Sequence, residues 1–474
     1  MIKIKSIPVQ VKATLAYTFS SVLSQGLLFL TTPIFTRLMS TEEMGLVTTY
    51  NAWNGILINI VTLSLCSGAF NVAMMEFPQK KDEYLSSMLG LSTTSTVLFF
   101  LLYFFFYKGW NNLFTLSTPL MLIMFLGFLF NPAKDLWMSR KRYEYKYIEF
   151  LIVSVIVSII TILLSVFSVV YCKNHTDFNL GNVRVIINGL VLCLSSLPFF
   201  IYIFYKGKSF FNLKFWKYAL IINTPLIFHA LSKHILDMSD RLMISNICGK
   251  SEVGIYGVLY TVSSISLIIW NAINQALVPY IFQSIKNDKK EKINNITFSI
   301  LIVYGVVSVG LSLIAPEIVK VLATEEYYQA IYIMPPIAAG IFLTSIYSLF
   351  STVTLYYKKT NYIMYATIMA SIINVVLNSI FIRKYGFIAA AYTTLIAYVF
   401  LSLFQYVFMC KCNKEKLYNT KKIVILSLLV ISSNLLCIPL YRMNVIRYIT
   451  IMLIGIISIS KHKKILNILK QIKK

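Results

Sequence analysis

The 474-residue chain is 58% hydrophobic and 13% charged, with 43 Lys and Arg against 18 Asp and Glu. Soluble domains carry about 25% charged residues, so water is excluded as the main solvent of this chain and no stretch is left over for a soluble domain. The net charge of +25 does not indicate nucleic acid, because the basic residues sit in short segments between apolar runs rather than on one amphipathic surface.

Apolar runs close to the roughly 20 residues that cross about 30 Å of hydrocarbon recur from end to end. They predict an all-α integral membrane protein of about fourteen transmembrane helices, at 11–36, 44–70, 86–107, 118–139, 148–171, 183–205, 218–245, 253–280, 295–321, 329–356, 362–382, 388–410, 423–440 and 446–460. The first run lacks a small-residue cleavage site and leads into Pro33 and Arg37, which predicts a retained helix rather than a signal peptide. With the N-terminus in the cytoplasm, about 30 of the 43 basic residues fall in cytoplasmic segments and about 11 outside, with Lys134 and Lys233 inside helices. That alternation favours an even helix count with both termini cytoplasmic, including the basic leader Met1 to Lys12 and the tail Lys461 to Lys474.

Helix two carries a polar face of Asn51, Trp53, Asn54, Asn59 and Thr62. In helix four, Lys134 and Asp135 lie about 9 Å inside the cytoplasmic end by helical rise, where snorkelling or local pairing is expected. Helix seven concentrates His229, Lys233, His234, Asp237, Asp240 and Arg241 in one apolar stretch. At about 100° per residue, His229, Lys233, Asp237 and Asp240 fall in an arc of roughly 80°, a stripe about 17 Å long. That stripe cannot face lipid, since each ionised side chain at the bilayer centre costs roughly 2.5 to 3.5 kcal/mol. Either Lys233 and Asp237 form an internal salt-bridge ladder, or the face lines a cleft where Lys233 and Arg241 attract a diphosphate and His229 or Asp237 responds to protons or cations. Asp240-Arg241 reads equally well as a structural pair. Helix eight has a second polar face of Trp270, Asn271, Asn274 and Gln275. Such amides line cavities or join helices at about 0.6 to 2 kcal/mol each.

Pro33 and Pro225 interrupt the first helix of each half, and Pro335-Pro336 are expected to bend helix ten. The seven cysteines are scattered without metal spacing and read as small apolar residues; no metal site and no cofactor are expected. No GxxxxGK[ST], HExxH or GxSxG element occurs, which argues against ATP-driven transport by this chain alone.

The chain repeats itself at about 205 to 218 residues. Thr36-Arg37-Leu38 with Ser40-Thr41-Glu42-Glu43-Met44-Gly45-Leu46 returns as Asp240-Arg241-Leu242 with Ser251-Glu252-Val253-Gly254-Ile255-Tyr256. Met138-Ser139-Arg140-Lys141-Arg142-Tyr143 returns as Tyr356-Tyr357-Lys358-Lys359-Thr360-Asn361-Tyr362, and Gly181-Asn182-Val183 as Gly386-Phe387-Ile388. The expected organisation is a six-helix bundle over 1–214, a second over 215–410 in the same membrane sense around a central cleft, and two additional helices with a basic tail over 411–474.

The run Pro33 to Gly45, with Ser239-Asp240-Arg241-Leu242, Glu252 to Tyr256, and Asn374 to Asn378 through Lys384-Tyr385-Gly386, resembles the polysaccharide-exporting branch of the MOP superfamily. That branch holds the Wzx-type O-antigen and capsule repeat-unit flippases, with MATE drug exporters and the lipid II flippase as distant relatives. The resemblance spans about residues 10 to 410. It implies a transporter rather than an enzyme: a flippase of undecaprenyl-diphosphate-linked oligosaccharide in a bacterial inner membrane, with a cavity lined by helices one, two, seven and eight. Implied partners are that lipid-linked oligosaccharide, membrane lipid, a proton or sodium ion, and a polysaccharide polymerase. Lipopolysaccharide O-antigen and capsule units remain alternatives, as do a MATE-type exporter of cationic drugs and a membrane-embedded glycan polymerase or ligase. Lys233, Arg241 and two histidines count against a drug exporter, and the lack of a large outside loop counts against the enzyme.

Overall fold

The computed structural model describes residues 9–66, 69–287, 290–413 and 417–460. The basic residues expected at both extremities, before 9 and after 460, lie outside the described residues. Among the described residues all regular structure is helical.

The first half runs α1 (Val9–Leu38), α2 (Thr41–Val61), α3 (Ala69–Glu76), α4 (Lys81–Phe105), α5 (Tyr107–Phe114), α6 (Thr118–Tyr143), α7 (Tyr147–His175) and α8 (Leu180–Gly207). It is followed by the long α9 (Leu213–Ile247), α10 (Lys250–Ser263), α11 (Ile265–Lys286), α12 (Lys290–Leu313) and α13 (Ala315–Leu322). A 3-10 stretch, Glu325–Ile333, leads into α14 (Met334–Tyr356), then α15 (Thr360–Tyr385), α16 (Ala389–Cys412), α17 (Thr420–Leu440) and α18 (Asn444–Ser460).

Among the described residues eleven helices are long and apolar enough to cross a membrane, twelve if the bent α9 counts as one span. The protein is a multi-pass integral membrane protein, but the expected count of fourteen is not reached on this test. Two of the predicted spans account for the difference. The one at 44–70 is divided after Val61, where Leu63 and Ser64 adopt positive φ angles of 56° and 47°; the 21-residue α2 that remains is long enough to cross but, with Asn51, Asn54 and Asn59, not apolar enough. The last, in α18, is a shorter apolar helix over Asn444–Ile456.

The prolines act differently from one another. α1 passes through Pro33 as a helix, with the hydroxyls of Thr31 and Thr32 donating to the Leu28 carbonyl one turn earlier. α9 instead bends by 43° between Leu213–Thr224 and Leu226–Ile247, at Pro225. Pro335 and Pro336 do not bend a helix: they occupy the first turn of α14, where a missing backbone donor costs nothing.

The elements recur in order. α1, α2, α4, α5, α6, α7 and α8 start at residues 9, 41, 81, 107, 118, 147 and 180; α9, α10, α12, α13, α14, α15 and α16 start at 213, 250, 290, 315, 334, 360 and 389. Each pair is displaced by roughly 210 residues, the period of the sequence repeats. The eight-residue helices α5 and α13 fall at equivalent places, a correspondence the sequence motifs did not reveal.

The chain packs as two units, 1–238 and 239–474, divided within α9. In the first, α3, α4, α6, α8 and the start of α9 share a core around Phe70, Met74, Tyr84, Met88 and Phe215. α1 is tied to α7 by Ser20–Ser154 at 2.6 Å and Ser24–Ser158 at 3.0 Å. α7 fully buries only Phe150, Ser165 and Val169; it packs on α1 and α8 along one side and leaves Ile152, Ile156, Leu163 and Phe167 exposed on the other. Glu43 closes a capping box with Ser40, whose Oγ accepts from Glu43 N at 3.2 Å and whose N donates to Glu43 Oε2 at 2.9 Å. Its other oxygen accepts from Leu180 N at 2.6 Å, so one carboxylate holds the starts of both α2 and α8. In the second unit, α14 is buried along most of its length and packs against α16.

Candidate functional site

The charged stripe occupies α9 beyond its bend. Lys233 Nζ donates to both carboxylate oxygens of Asp237, one turn on. Both side chains are about one-third exposed or less, at 33% and 27%, and His229 one turn earlier is half-buried. His234 rests against α2: a Cβ on Gly55 would lie 3.4 Å from its Nδ1, an atom with no hydrogen-bond partner. α2 and the charged segment of α9 are therefore in contact at Gly55 and His234 within the first unit.

Asp240 and Arg241 lie in the second unit, at 0% and 6% exposure. Asp240 Oδ1 accepts from Arg241 N at 2.7 Å and from Arg241 Nη1 at 3.1 Å, and Asp240 Oδ2 accepts from the Tyr256 hydroxyl at 2.7 Å. The guanidinium lies over the Tyr260 ring at 4.1 Å, and the hydroxyls of Tyr260 and Tyr398 are 3.4 Å apart. Next to it in sequence, Ser239 donates to Asn374 Oδ1 at 3.0 Å, Asn378 Nδ2 donates to the same oxygen at 3.0 Å, and Thr393 donates to Asn378. These groups satisfy one another in a buried polar cluster joining α9, α10, α15 and α16, which is the geometry of a packing element.

On α2, Asn51 and Asn54 line a cavity of about 390 Å³ inside the first unit. Trp53 points away from it and packs on Phe114 with ring centroids 4.5 Å apart. The same cavity receives Asn131 and Lys134 from α6 and Asn188 from α8. Lys134 thus lines a cavity, where its position in the sequence predicts snorkelling or local pairing, and Asn188 joins it from a helix with no polar face in the sequence analysis. Asn131, Lys134 and Met138 recur at i, i+3 and i+7, a spacing that marks one helix face and was available in the sequence.

On α11, Asn271 and Gln275 are exposed and Asn274 is half-buried with its Oδ1 unpartnered. Trp270 is buried and packs on Tyr304 at 5.2 Å, its indole N–H without a partner. The structure therefore brings together Lys233 with Asp237, Asp240 with Arg241, and Asn51 with Asn54 and Lys134. The two tryptophans are each engaged in packing away from the neighbouring amides. Among the described residues no group of His, Cys, Asp and Glu is arranged to hold a metal ion.

This helical arrangement recurs in solved structures of other membrane proteins. The fold resembles the lipid II flippase MurJ in an inward closed conformation, with TM-score 0.70 and 18% identity over 96% of this chain and 100% of that one. It also resembles an inward-facing multidrug resistance MATE transporter of the MOP superfamily, with TM-score 0.61 and 12% identity over 83% and 96%. A MOP-superfamily transporter from Pyrococcus furiosus, described as having a binding pocket of reverse polarity, gives TM-score 0.59 at 12% identity over 85% and 95%. Residues 11–285 match the family described as "Polysaccharide biosynthesis protein", and the chain belongs to that family. Residues 225–380 also match the MatE family. The probable low-salt glycan biosynthesis flippase Agl15 of Haloferax volcanii is 22% identical over 200 residues, 41% of this chain. The match covers 40% of that relative's length.

Proposed function

We propose that the protein is a flippase that moves undecaprenyl-diphosphate-linked oligosaccharide repeat units from the cytoplasmic to the periplasmic leaflet of a bacterial inner membrane by alternating access. The match to the polysaccharide biosynthesis family over residues 11–285 carries this reading. The match to a glycan flippase and the likeness to the fold of the lipid II flippase support it.

The chemistry required is recognition without bond making. A diphosphate asks for cations, its sugars for amides, and its chain for lipid access. Lys233 is the cation for the head group, with His229 and Asp237 beside it on the same helix face; Asn271, Asn274 and Gln275 of the second unit offer amides to the sugars, while Asp240 and Arg241 brace α9 from within the second unit. Asp237 keeps Lys233 neutralised until the diphosphate competes for it. The carboxylate so released then takes up a proton or a sodium ion, which links transport to an ion gradient. An inside-negative potential also favours outward movement of the anionic head group, by about 2.3 kcal/mol per charge per 100 mV. A polysaccharide polymerase acting on the delivered units is the expected partner.

The match to the MatE family over residues 225–380 favours a second reading, a cation-coupled drug exporter. Lys134 and Lys233 on polar faces oppose it, because a cationic drug calls for unpaired carboxylates.

The test is the leaflet distribution of undecaprenyl-diphosphate-linked glycan in the native host, in wild type, a deletion and Lys233→Ala. Complete repeat units trapped on the cytoplasmic face of the deletion, and partly so in Lys233→Ala at normal protein level, support flipping. Units that reach the periplasm in the deletion but stay unpolymerised indicate an enzyme instead. Unchanged glycan handling moves drug export to the front.

A further inference from the structure

The cavity of about 390 Å³ in the first unit is walled by α1, α2, α6, α7 and α8. Its polar walls are not satisfied by one another. Among the described residues, Lys134 Nζ makes no hydrogen bond or ion pair, and neither do the side-chain amides of Asn51 and Asn54. Asn188 Oδ1 is buried without a partner. Asn131 Oδ1 is engaged, accepting from Ser196 at 3.1 Å. Asp135, the carboxylate next to Lys134, is exposed and is not one of the cavity walls. Successive helical residues diverge by about 100°, which sends the two charges in different directions.

A lysine set within a spanning helix costs roughly 2.5 to 3.5 kcal/mol unless it is paired or wetted. Here the cation points into an internal chamber together with three amides that have spare donors and acceptors. Apolar residues such as Met124 and Val157 complete the walls. Small-molecule sites run from about 300 to 1,000 Å³, so the chamber accommodates one sugar ring or one phosphoryl group with its neighbours. A neutral sugar would leave Lys134 with only the neighbouring Asp135, outside the cavity, as a charge partner, and a cationic drug would be repelled by the lysine.

We propose that this chamber is a subsite for an oxyanion flanked by hydroxyl groups, with Lys134 holding the charge and Asn51, Asn54 and Asn188 exchanging hydrogen bonds with the hydroxyls. The ligand class is a glycan bearing a carboxylate, as in an acidic sugar, or the phosphate of its carrier. The proposal rests on the reading of the protein as a glycan flippase and adds to it a charged recognition point distinct from the α9 stripe.

The full chain, purified into nanodiscs of zwitterionic lipid, is titrated calorimetrically with D-glucuronate, D-glucose and inorganic pyrophosphate. Saturable binding of glucuronate but not glucose, weakened roughly tenfold in Lys134→Gln and retained in Lys134→Arg, establishes the subsite with an acidic sugar as its ligand. Binding of pyrophosphate alone, with the same dependence on Lys134, establishes it with the carrier as the source. If Lys134→Gln does not fold, Asn188→Leu takes its place and must weaken the same anion. Glucose binding as well as glucuronate, anion binding unaffected by these variants, or no saturable anion binding up to the order of 10 mM overturns the proposal. The leaflet assay on the same wild-type protein separates the two ideas, because flipping can stand while the subsite fails.

Discussion

Tyr256 donates its hydroxyl to Asp240 Oδ2 at 2.7 Å, while the other carboxylate oxygen holds the backbone and guanidinium of Arg241. One carboxylate thus fastens α10 to the end of α9 and neutralises a buried cation. Removing one member of a buried charged pair costs about 3 to 5 kcal/mol, because the partner is left uncompensated. Asp240→Ala is expected to lose that much stability, and Tyr256→Phe about 1 to 2 kcal/mol, read from unfolding in mixed micelles. Transport per folded molecule should stay near wild type in Tyr256→Phe. A large transport defect at normal stability would place this pair on the substrate path instead.

Lys233 and Asp237 lie one turn apart and are about one-third exposed, so their pairing is accessible to a competing anion. Lys233→Ala is expected to reduce the flipping rate by roughly tenfold, and Asp237→Asn, which removes the carboxylate charge beside Lys233, to change ion dependence more than substrate affinity. Flipping rates against proton and sodium gradients in proteoliposomes check both. A double variant no worse than Lys233→Ala indicates that the two act as one unit.

How far the sequence disclosed this depends on the kind of feature. Apolar length disclosed the helices, and the repeated motifs disclosed the period that the helix starts follow. Ser40 and Glu43 announced a capping box, but the bond from Leu180 N to Glu43 needed the tertiary structure. The break at Leu63 and Ser64 was hidden, because a two-residue left-handed turn leaves the apolar run unchanged. Pro335 and Pro336 were misplaced by the same limitation, since hydropathy does not tell a 3-10 stretch from an α-helix. In the candidate site, periodicity grouped Lys233 with Asp237 and placed Asp240 on the same face. It could not disclose that Tyr256 and Tyr260 enclose Asp240 and Arg241, nor that Lys134 turns toward Asn51, because both depend on how one helix packs against another.

A cluster at the end of α6 makes a pH prediction. Arg140 Nε donates to Glu144 Oε1 at 2.8 Å, Lys146 lies 3.3 Å from Glu144 Oε2, and Arg140 also pairs with Asp82. Lys206 is 3.8 Å from Asp82, and Lys141 pairs with Glu149. Burial alone would raise the Glu144 carboxyl, but the bonds from Arg140 and Lys146 outweigh it and hold the group below the usual glutamate range. A depressed carboxylate contributes stability above its unfolded value, about 4.3, and loses it as pH falls through the folded value. The melting temperature of wild type should therefore exceed that of Glu144→Gln by a constant gap above about pH 5, and the gap should close as the solution is acidified below about pH 4. A gap that is the same at every pH would show that the carboxylate charge is not what stabilises this cluster.

Two glycines with opposite surroundings separate close packing from helix propensity. At Gly90 in α4, an added Cβ would lie 2.0 Å from the Phe210 carbonyl oxygen and 2.9 Å from its carbon. Both are backbone atoms in the segment between α8 and α9, so no side-chain rotation relieves the clash. Gly90→Ala is expected to destabilise by at least about 1 to 3 kcal/mol, the cost of overpacking, and to lower the folded yield. Gly26 in α1 has nothing within 4 Å of an added Cβ. There the only effect is on the helix itself, and Gly26→Ala should be neutral or stabilising by about 0.5 to 1 kcal/mol. Thermal unfolding of the two variants side by side checks the pair. If Gly90→Ala folds and melts like wild type, α4 does not approach the Phe210 backbone as closely as described, and the packing of α4 against that segment must be revised.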